Sequence, residues 1–464
     1  MSEPGRSHHS PRIRSGRFGL ALIAVILLVS SACSSGDDSD TPETVPDDAT
    51  TSEETTPDAT DPAADGDSAP PASTPGITDE TITIGFTYIN LADLLEAGII
   101  DTNHGPYDQQ IQALVDDLNE RGGIHGRQVE VISVGYDPVG NEAQQAACIE
   151  LTEDEEVFAV LGSIRGDNVL CYTEQHETIA IMDRNMSEER LARAAAPYAT
   201  AGPTEERILT EMVDTAAAEG LLDGATVAVH STEPENHSLA TDVLTPALEA
   251  AGANVVFKSL IEVGGSDVGA SGEAIAFNAQ LMADEDVDTV FVVGDSLVVS
   301  TTFAAEGFTP TLFLGDMGSA QGLAEGNDLS VFDGVYTFGD FVDPERYEEA
   351  TFQEECVPIW DAAHPDDPVR DPRDLVDDEP NHTVGLGTAC RTLSIFVAAA
   401  EAAGTELTTE SFLTSLESVG PIDLPGYGPG SITVDKYDAQ DDLVLYAYDA
   451  ADPDAFRGFA RYEG

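Results

Sequence analysis

The chain has 464 residues, room for a leader and two domains of ordinary size. Its 87 Asp and Glu far outnumber its 19 Lys and Arg. Such a surface repels nucleic acid and anionic lipid headgroups, which excludes both as partners. Lys258 and Lys436 are the only lysines and neither follows a glycine, so a phosphate-cradling Walker A loop is excluded as well.

The first residues read as a leader. Arg6, Arg12, Arg14 and Arg17 form a basic start, an apolar run follows from Leu20 to Val29, and small residues Ser30, Ser31 and Ala32 precede Cys33. An apolar run of about ten residues is too short to cross roughly 30 Å of hydrocarbon as a helix, so residues 1–32 are expected to be a signal peptide. Cysteine directly after small residues resembles a bacterial lipobox, which implies acylation of Cys33 and a lipid anchor on the outer face of the cell membrane. Ser30 departs from that pattern, which favours Leu three residues before the cysteine. Residues 33–76 are Asp-, Thr-, Ser- and Pro-rich with few large apolar side chains. They cannot bury enough surface to offset chain entropy and are expected to form a disordered acidic tether. Removing the leader takes away four arginines and one glutamate, leaving 15 basic and 86 acidic residues, a net charge near −71.

From Thr81 short apolar strands alternate with amphipathic helices. Thr81–Thr87 places Ile82, Ile84 and Phe86 on one face of a strand. Tyr107–Glu120 carries Ile111, Leu114, Val115 and Leu118 at helical spacing, and Gly122–Gly123 ends the helix. Val129–Val134, Val157–Leu161 and Ile179–Met182 read as further strands. Thr226–His230, Asn254–Lys258, Thr289–Val293 and Thr311–Leu314 repeat the rhythm between Ala-rich helices. Alternation of this kind predicts an α/β fold with parallel sheets covered by helices on both faces, and the strand count fits two doubly wound lobes better than one barrel.

A doubly wound sheet binds ligands beyond the carboxyl ends of its strands. The loops there are Tyr88–Asn90, Ser163–Asn168, Asp183–Ser187, Ser231–His237, Asp295–Ser296 and Asp316–Ser319, rich in Ser, Asn, Asp and Gly. Facing each other across a cleft they suit a small polar molecule. Candidate ligand-binding residues are therefore Tyr88, Ser163, Arg165, Asp167, Ser187, Asn236, Asp295 and Asp316. Tyr107 and Tyr136 are alternative stacking residues, and His237 either reaches the cleft or caps a helix. Arg165 and Arg184 either meet an anionic group of the ligand or offset the neighbouring Asp167 and Asp183.

Four stretches carry a family resemblance: Ile84–Gly85 in the first strand, Leu118–Gly126 (LNERGGIHG), Ala159–Gly162 (AVLG) and Phe313–Gly318 (FLGDMG). With the leader, they make the chain resemble the branched-chain amino acid (Leu/Ile/Val) binding proteins, the type I periplasmic substrate receptors of ABC importers. The resemblance implies two lobes joined by three hinge crossovers, lobe 1 at 77–202 and 334–419 and lobe 2 at 203–333 and 420–464, with crossovers near Gly202, Gly334 and Gly420. It implies a monomer that hands a small-molecule solute to an ABC permease, or, as an alternative, a sensing lipoprotein that reports to a membrane receptor. Specificity transfers less well. Gly166 stands where many relatives place a carboxylate-gripping serine, Asp295 where an aromatic is usual, and Asp316 one place before the acid that takes the ligand ammonium. The first loop, Thr87–Thr102, is longer and lacks the usual Pro-x-x-Gly.

Cys148, Cys171, Cys356 and Cys390 form an even set that suggests two disulfides in an oxidising compartment, with three possible connectivities. The lobes implied by the resemblance favour local pairs, Cys148 with Cys171 and Cys356 with Cys390, since neither would then bridge the lobes. No CxxC, HExxH or GxSxG motif occurs, and the glycine-rich Val263–Gly272 carries no phosphate signature. Neither enzyme chemistry, a metal nor a cofactor is expected. The run His364–Glu379 matches no calcium loop and reads as a solvated insertion.

Overall fold

The strand and helix rhythm of the sequence is present in the computed structural model. It describes residues 74–92, 95, 103–137, 141–232, 236–261, 268–294, 296–315, 320–321, 323–324, 327–339, 341–376, 379–451 and 456–462. In order, the first elements are β1 (Thr81–Ile89), α1 (Tyr107–Glu120), β2 (Gln128–Tyr136), α2 (Glu142–Ile149), β3 (Ala159–Gly162), β4 (Ile179–Met182), α3 (Glu188–Arg193) and β5 (Tyr198–Thr200). Next come α4 (Glu205–Ala218), β6 (Thr226–Ser231), α5 (Thr245–Ala250), β7 (Asn254–Leu260), α6 (Val268–Asp284), β8 (Thr289–Val293), α7 (Ser296–Glu306), β9 (Thr311–Leu314) and β10 (Gly334–Gly339). The chain then runs through α8 (Asp343–Glu348), α9 (Val357–Ala363), α10 (His382–Ala403), α11 (Thr409–Leu416), β11 (Gly420–Leu424), β12 (Gly428–Ile432), β13 (Val444–Tyr448) and β14 (Phe456–Arg461).

The first sheet has the order β2-β1-β3-β4-β5 and is wholly parallel. Every residue of β3 and β4 is buried, as continuous apolar strands covered on both faces should be. One face packs Ile82, Ile84 and Phe86 against α1, α10 and Trp360. The other packs Val160, Ala180 and Met182 under Leu151, Val169 and Tyr172. Ile111, Leu114, Val115 and Leu118 of α1 are all buried, each side chain worth roughly 1.5–3 kcal/mol of apolar transfer. The turn after α1 depends on glycine: Gly123 has φ +64, and a Cβ there would lie 1.9 Å from the Arg127 carbonyl oxygen.

The second sheet has the order β14-β13-β10-β9-β8-β6-β7. Its β10-β9-β8-β6-β7 portion is parallel, while β13 and β14 add antiparallel strands at one edge. Two expected boundaries are corrected here. Strand 334–339 pairs with β9 and β13, so it belongs to the second sheet and the crossover lies after Gly339, not at Gly334. The β11–β12 hairpin buries Leu424, Tyr427 and Ile432 in the first lobe's core, so the last crossover falls between β12 and β13, not at Gly420. The reason is the same in both cases: each segment's apolar side chains find their partners on the neighbouring lobe.

The cysteines pair locally, Cys148 with Cys171 and Cys356 with Cys390, both within the first lobe. The His364–Glu379 run is more than a solvated insertion: Val369 is buried, and the Asp367 carbonyl accepts the Trp360 indole proton at 2.7 Å.

Candidate functional site

The sheet topology dictates where a ligand can enter. In the first sheet the strand order reverses between β1 and β3, and in the second between β6 and β8. At such switch points neighbouring loops diverge and open a crevice beyond the strand ends. Tyr88 and Ser163 flank the first switch point, at the ends of β1 and β3. Gly162 lets β3 turn away sharply, with φ +111 and the position of a Cβ only 2.1 Å from the Thr87 carbonyl oxygen. Ser163 follows, its amide donating to that same carbonyl at 2.8 Å.

Beside β1 lies a cavity of about 240 Å³ lined by Tyr88, Asn90, Asn103, His104, Tyr107 and Asp108, among others. Tyr88 stacks on Tyr107 with ring centroids 5.4 Å apart and planes 19° from parallel. The Tyr88 ring lies against Gly135, where a Cβ would come within 2.9 Å. Burial holds the His104 imidazole below its ordinary pKa, although Asp343 works in the opposite direction. Burial raises the Tyr107 phenol instead, and its hydroxyl is hydrogen-bonded to His104 Nδ1 at 2.9 Å. A larger cavity of about 510 Å³, lined by Leu191, Pro197, Leu413 and Tyr437 among others, opens at the start of β5, the wrong end of the sheet for a strand-end ligand.

A second cluster sits at the end of β4. Asp183 accepts from Arg391 Nε at 2.6 Å, from Thr388 Oγ1 at 3.3 Å and from the Tyr427 hydroxyl at 3.4 Å. The Arg391 guanidinium lies 3.7 Å from the centroid of the Tyr427 ring, with those of Arg346 and Arg184 at 5.6 and 5.8 Å. Arg184 Nε donates to the Tyr427 hydroxyl at 3.0 Å. Three of the 15 cationic side chains in the folded part thus surround one phenol ring, and Asp183 and Asp343 neutralise two of them. Arg391 is buried, and a buried pair of this kind costs about 3–5 kcal/mol when one member is removed.

The candidates separate in space. Tyr88 and Tyr107 meet in the cavity beside β1, whereas Ser163, at the end of β3, is not among the residues that line it. Arg165 and Asp167 are exposed on the neighbouring loop, and Asp167 pairs with Arg190 at 3.1 Å and Arg193 at 3.7 Å instead of with Arg165. Ser187 is buried and caps α3, accepting the Arg190 amide at 3.3 Å. Tyr136 is 1 % exposed with its phenol pushed up to about 12 by burial, so it is a core residue and no stacking platform. Asn236 is half-buried at the end of the β6 loop, and His237 Nε2 meets the Ile261 carbonyl at 3.1 Å. Asp295, Asp316 and Cys33 lie outside the described residues. Sequence reasoning missed Arg391 and Tyr427. The signal for Arg391 was the single arginine in the middle of a mostly apolar helix of 22 residues.

Residues 97–452 match the model of the family described as "Periplasmic binding protein". The chain belongs to the periplasmic binding protein family. No curated protein sequence matches it. Among solved structures, this periplasmic binding protein is similar to a leucine binding protein from Thermotoga maritima, with TM-score 0.59, 13 % identity, and 82 % of this chain and 98 % of that chain covered. It is also similar to a solute binding protein of an ABC transporter from Rhodopseudomonas palustris in complex with p-hydroxybenzoic acid (TM-score 0.59, 14 % identity, 83 % and 97 % covered). A third relative is a fatty acid ABC transporter substrate-binding protein from Thermomonospora curvata (TM-score 0.56, 18 % identity, 83 % and 92 % covered). These identities carry the fold and leave the ligand open.

Proposed function

We propose that the chain is an extracytoplasmic, lipid-anchored solute-binding protein. It captures a small polar solute, amino acid or amide-like, between its two lobes and delivers it to an ABC permease in the membrane. The observation that carries this reading is the cavity at the carboxyl end of β1, where the β1 end and the start of α1 set aromatic and polar groups around a space of about 240 Å³. That volume lies below the roughly 300–1,000 Å³ usual for drug-sized ligands and suits a small solute, or one end of a larger one. Of the proteins named above, one is in complex with p-hydroxybenzoic acid and two are named for leucine and fatty acids, which supports a scaffold that accommodates several solute classes.

A ligand stabilises the state that binds it, by about 2.7 kcal/mol at a hundred times its Kd. Melting of the purified chain against amino acids, amides, urea, polyamines and aromatic acids should therefore show a concentration-dependent rise with at least one class. A panel without any rise overturns the reading. The lipid anchor is tested at Cys33: Cys33→Ser should release the protein into the medium. Retention in the membrane fraction would mean that the apolar leader stays uncleaved as the anchor.

A further inference from the structure

One wall of the cavity beside β1, residues 103–107, is fastened to α10 through a chain of polar side chains. Gln110 Nε2 lies 3.0 Å from the His104 carbonyl oxygen and 3.1 Å from Nδ1 of His382, the first residue of α10. A carbonyl only accepts, so this amide nitrogen donates one proton to each. His382 then carries its own proton on Nε2 and donates it to Asp367 Oδ2 at 3.1 Å, within the 364–379 run. Gln110 and His382 are both buried, and the backbone is pressed against them. A Cβ on Gly105 would come within 2.6 Å of His382 Nδ1, and one on Gly385 within 2.6 Å of the His104 carbonyl oxygen.

His104 itself is half-buried and lines the cavity. Its Nδ1 meets the Tyr107 hydroxyl, while its Nε2 has no partner among the described residues and is open to solvent. The Tyr107 hydroxyl has no other acceptor among the described residues, and burial keeps its proton on. Donation from Tyr107 to Nδ1 satisfies that proton, whereas the reverse direction would orphan it at about 1–3 kcal/mol. Burial also holds His104 below its ordinary pKa. No Lys or Arg lines the cavity, and its one carboxylate, Asp108, is exposed in the first turn of α1. An anionic group would meet that carboxylate and no cation.

We infer that His104 holds its proton on Nε2 and donates it to a neutral oxygen of the solute, a carbonyl or a hydroxyl. Gln110, His382 and Asp367 are the positioning residues that fix the wall from which it does so. The inference rests on the solute-binding reading above and names the group that this cavity reads.

NMR of the full chain with nitrogen-15 in its histidines tests the proton's position without any ligand, the His104 signals being those lost in His104→Phe. His104 should be the neutral Nε2–H tautomer at neutral pH. An Nδ1–H tautomer or an imidazolium would overturn the inference. Propionamide, propionate and propylammonium share one shape and differ in the charge of their polar end. Propionamide should shift the His104 Nε2 signal and bind at least about tenfold tighter than either ion, since neither ion finds a buried counter-charge there. His104→Phe, which keeps a ring and removes the donor, should weaken propionamide about three- to tenfold. His382→Leu should weaken it by a similar factor. His382→Asn, whose Oδ1 can accept from Gln110 in place of Nδ1, should restore it. Unaltered affinity in His104→Phe, or a His382→Asn protein as weak as His382→Leu, would overturn the assigned roles. Should His382→Leu fail to fold, the wild-type tautomer and the His104→Phe titration decide. If an ion or another solute of the wider panel binds while propionamide does not, the inference falls and the solute-binding reading stands. If nothing binds, both fall.

Discussion

At the scale of single residues, the second lobe carries an ionisable group that nothing stabilises. His230 on β6 is fully buried, packs edge-on against Phe303 with ring centroids 5.7 Å apart, and has no hydrogen-bond partner on either ring nitrogen among the described residues. Burial lowers its pKa from 6.5 to about 4. Between those two values the unfolded chain binds a proton that the folded chain refuses, so stability is intact above pH 6.5 and is lost as pH falls toward 4. A shift of this size corresponds to about 3 kcal/mol once both states are protonated. His230→Phe should remove this contribution. Melting curves of the two proteins from pH 7 to 4 should diverge in favour of the variant as acid is added, and parallel curves would mean that His230 finds a proton acceptor on protonation. The pH dependence of the 86 acidic residues is common to both proteins and cancels in the comparison.

At the scale of elements, both disulfides staple helical segments to the first lobe. Cys356–Cys390 ties the segment before α9 to the middle of α10 across 34 residues, and Cys148–Cys171 ties α2 to the stretch after β3 across 23 residues. Loops of this length stabilise by about 3–4 kcal/mol in the chain-entropy model. Replacing Cys356 and Cys390 together by Ser should lower first-lobe stability by roughly that amount and leave second-lobe melting in place. A uniform drop of both lobes would mean that they unfold as one unit. The same scale shows what the sequence could carry. Continuous apolar runs such as Ile179–Met182 and Thr289–Val293 predict buried strands, and the structure has strands with those bounds. The antiparallel strands β13 and β14 were missed because no helix lies between them to mark a parallel unit. In the site, Tyr88 was legible because it ends a strand. The roles of Tyr427 and Arg391 were not, since their meeting joins positions 36 residues apart that only the packing of β11–β12 on α10 brings together.

At the scale of the whole molecule, two sheets with separate cores are connected by three passages of chain. Such an arrangement should close on its ligand by rotation of one lobe against the other. A ligand can drive closure only by contacts that it makes better in the closed form. Small-angle scattering should show a smaller radius of gyration with saturating solute than without. An unchanged radius at saturation would mean a fixed cleft.

The passages are not independent of each other. The Thr200 amide donates to the Tyr437 carbonyl at 2.9 Å, the Ala439 amide to the Thr200 carbonyl at 2.7 Å and the Gln440 amide to the Ala201 carbonyl at 2.9 Å. Asp438 then accepts from the Thr204 amide at 2.9 Å and from Arg207 Nη1 at 2.6 Å. The first and last passages are thereby laced into one two-stranded strap. A pair of loose cords would let the lobes swivel, twist and shear in any combination. A strap bends easily across its flat and resists turning about its length, so it leaves the lobes one soft coordinate. Motion along one coordinate has a defined end point, and a membrane partner that docks on both lobes would need to recognise only one angle between them.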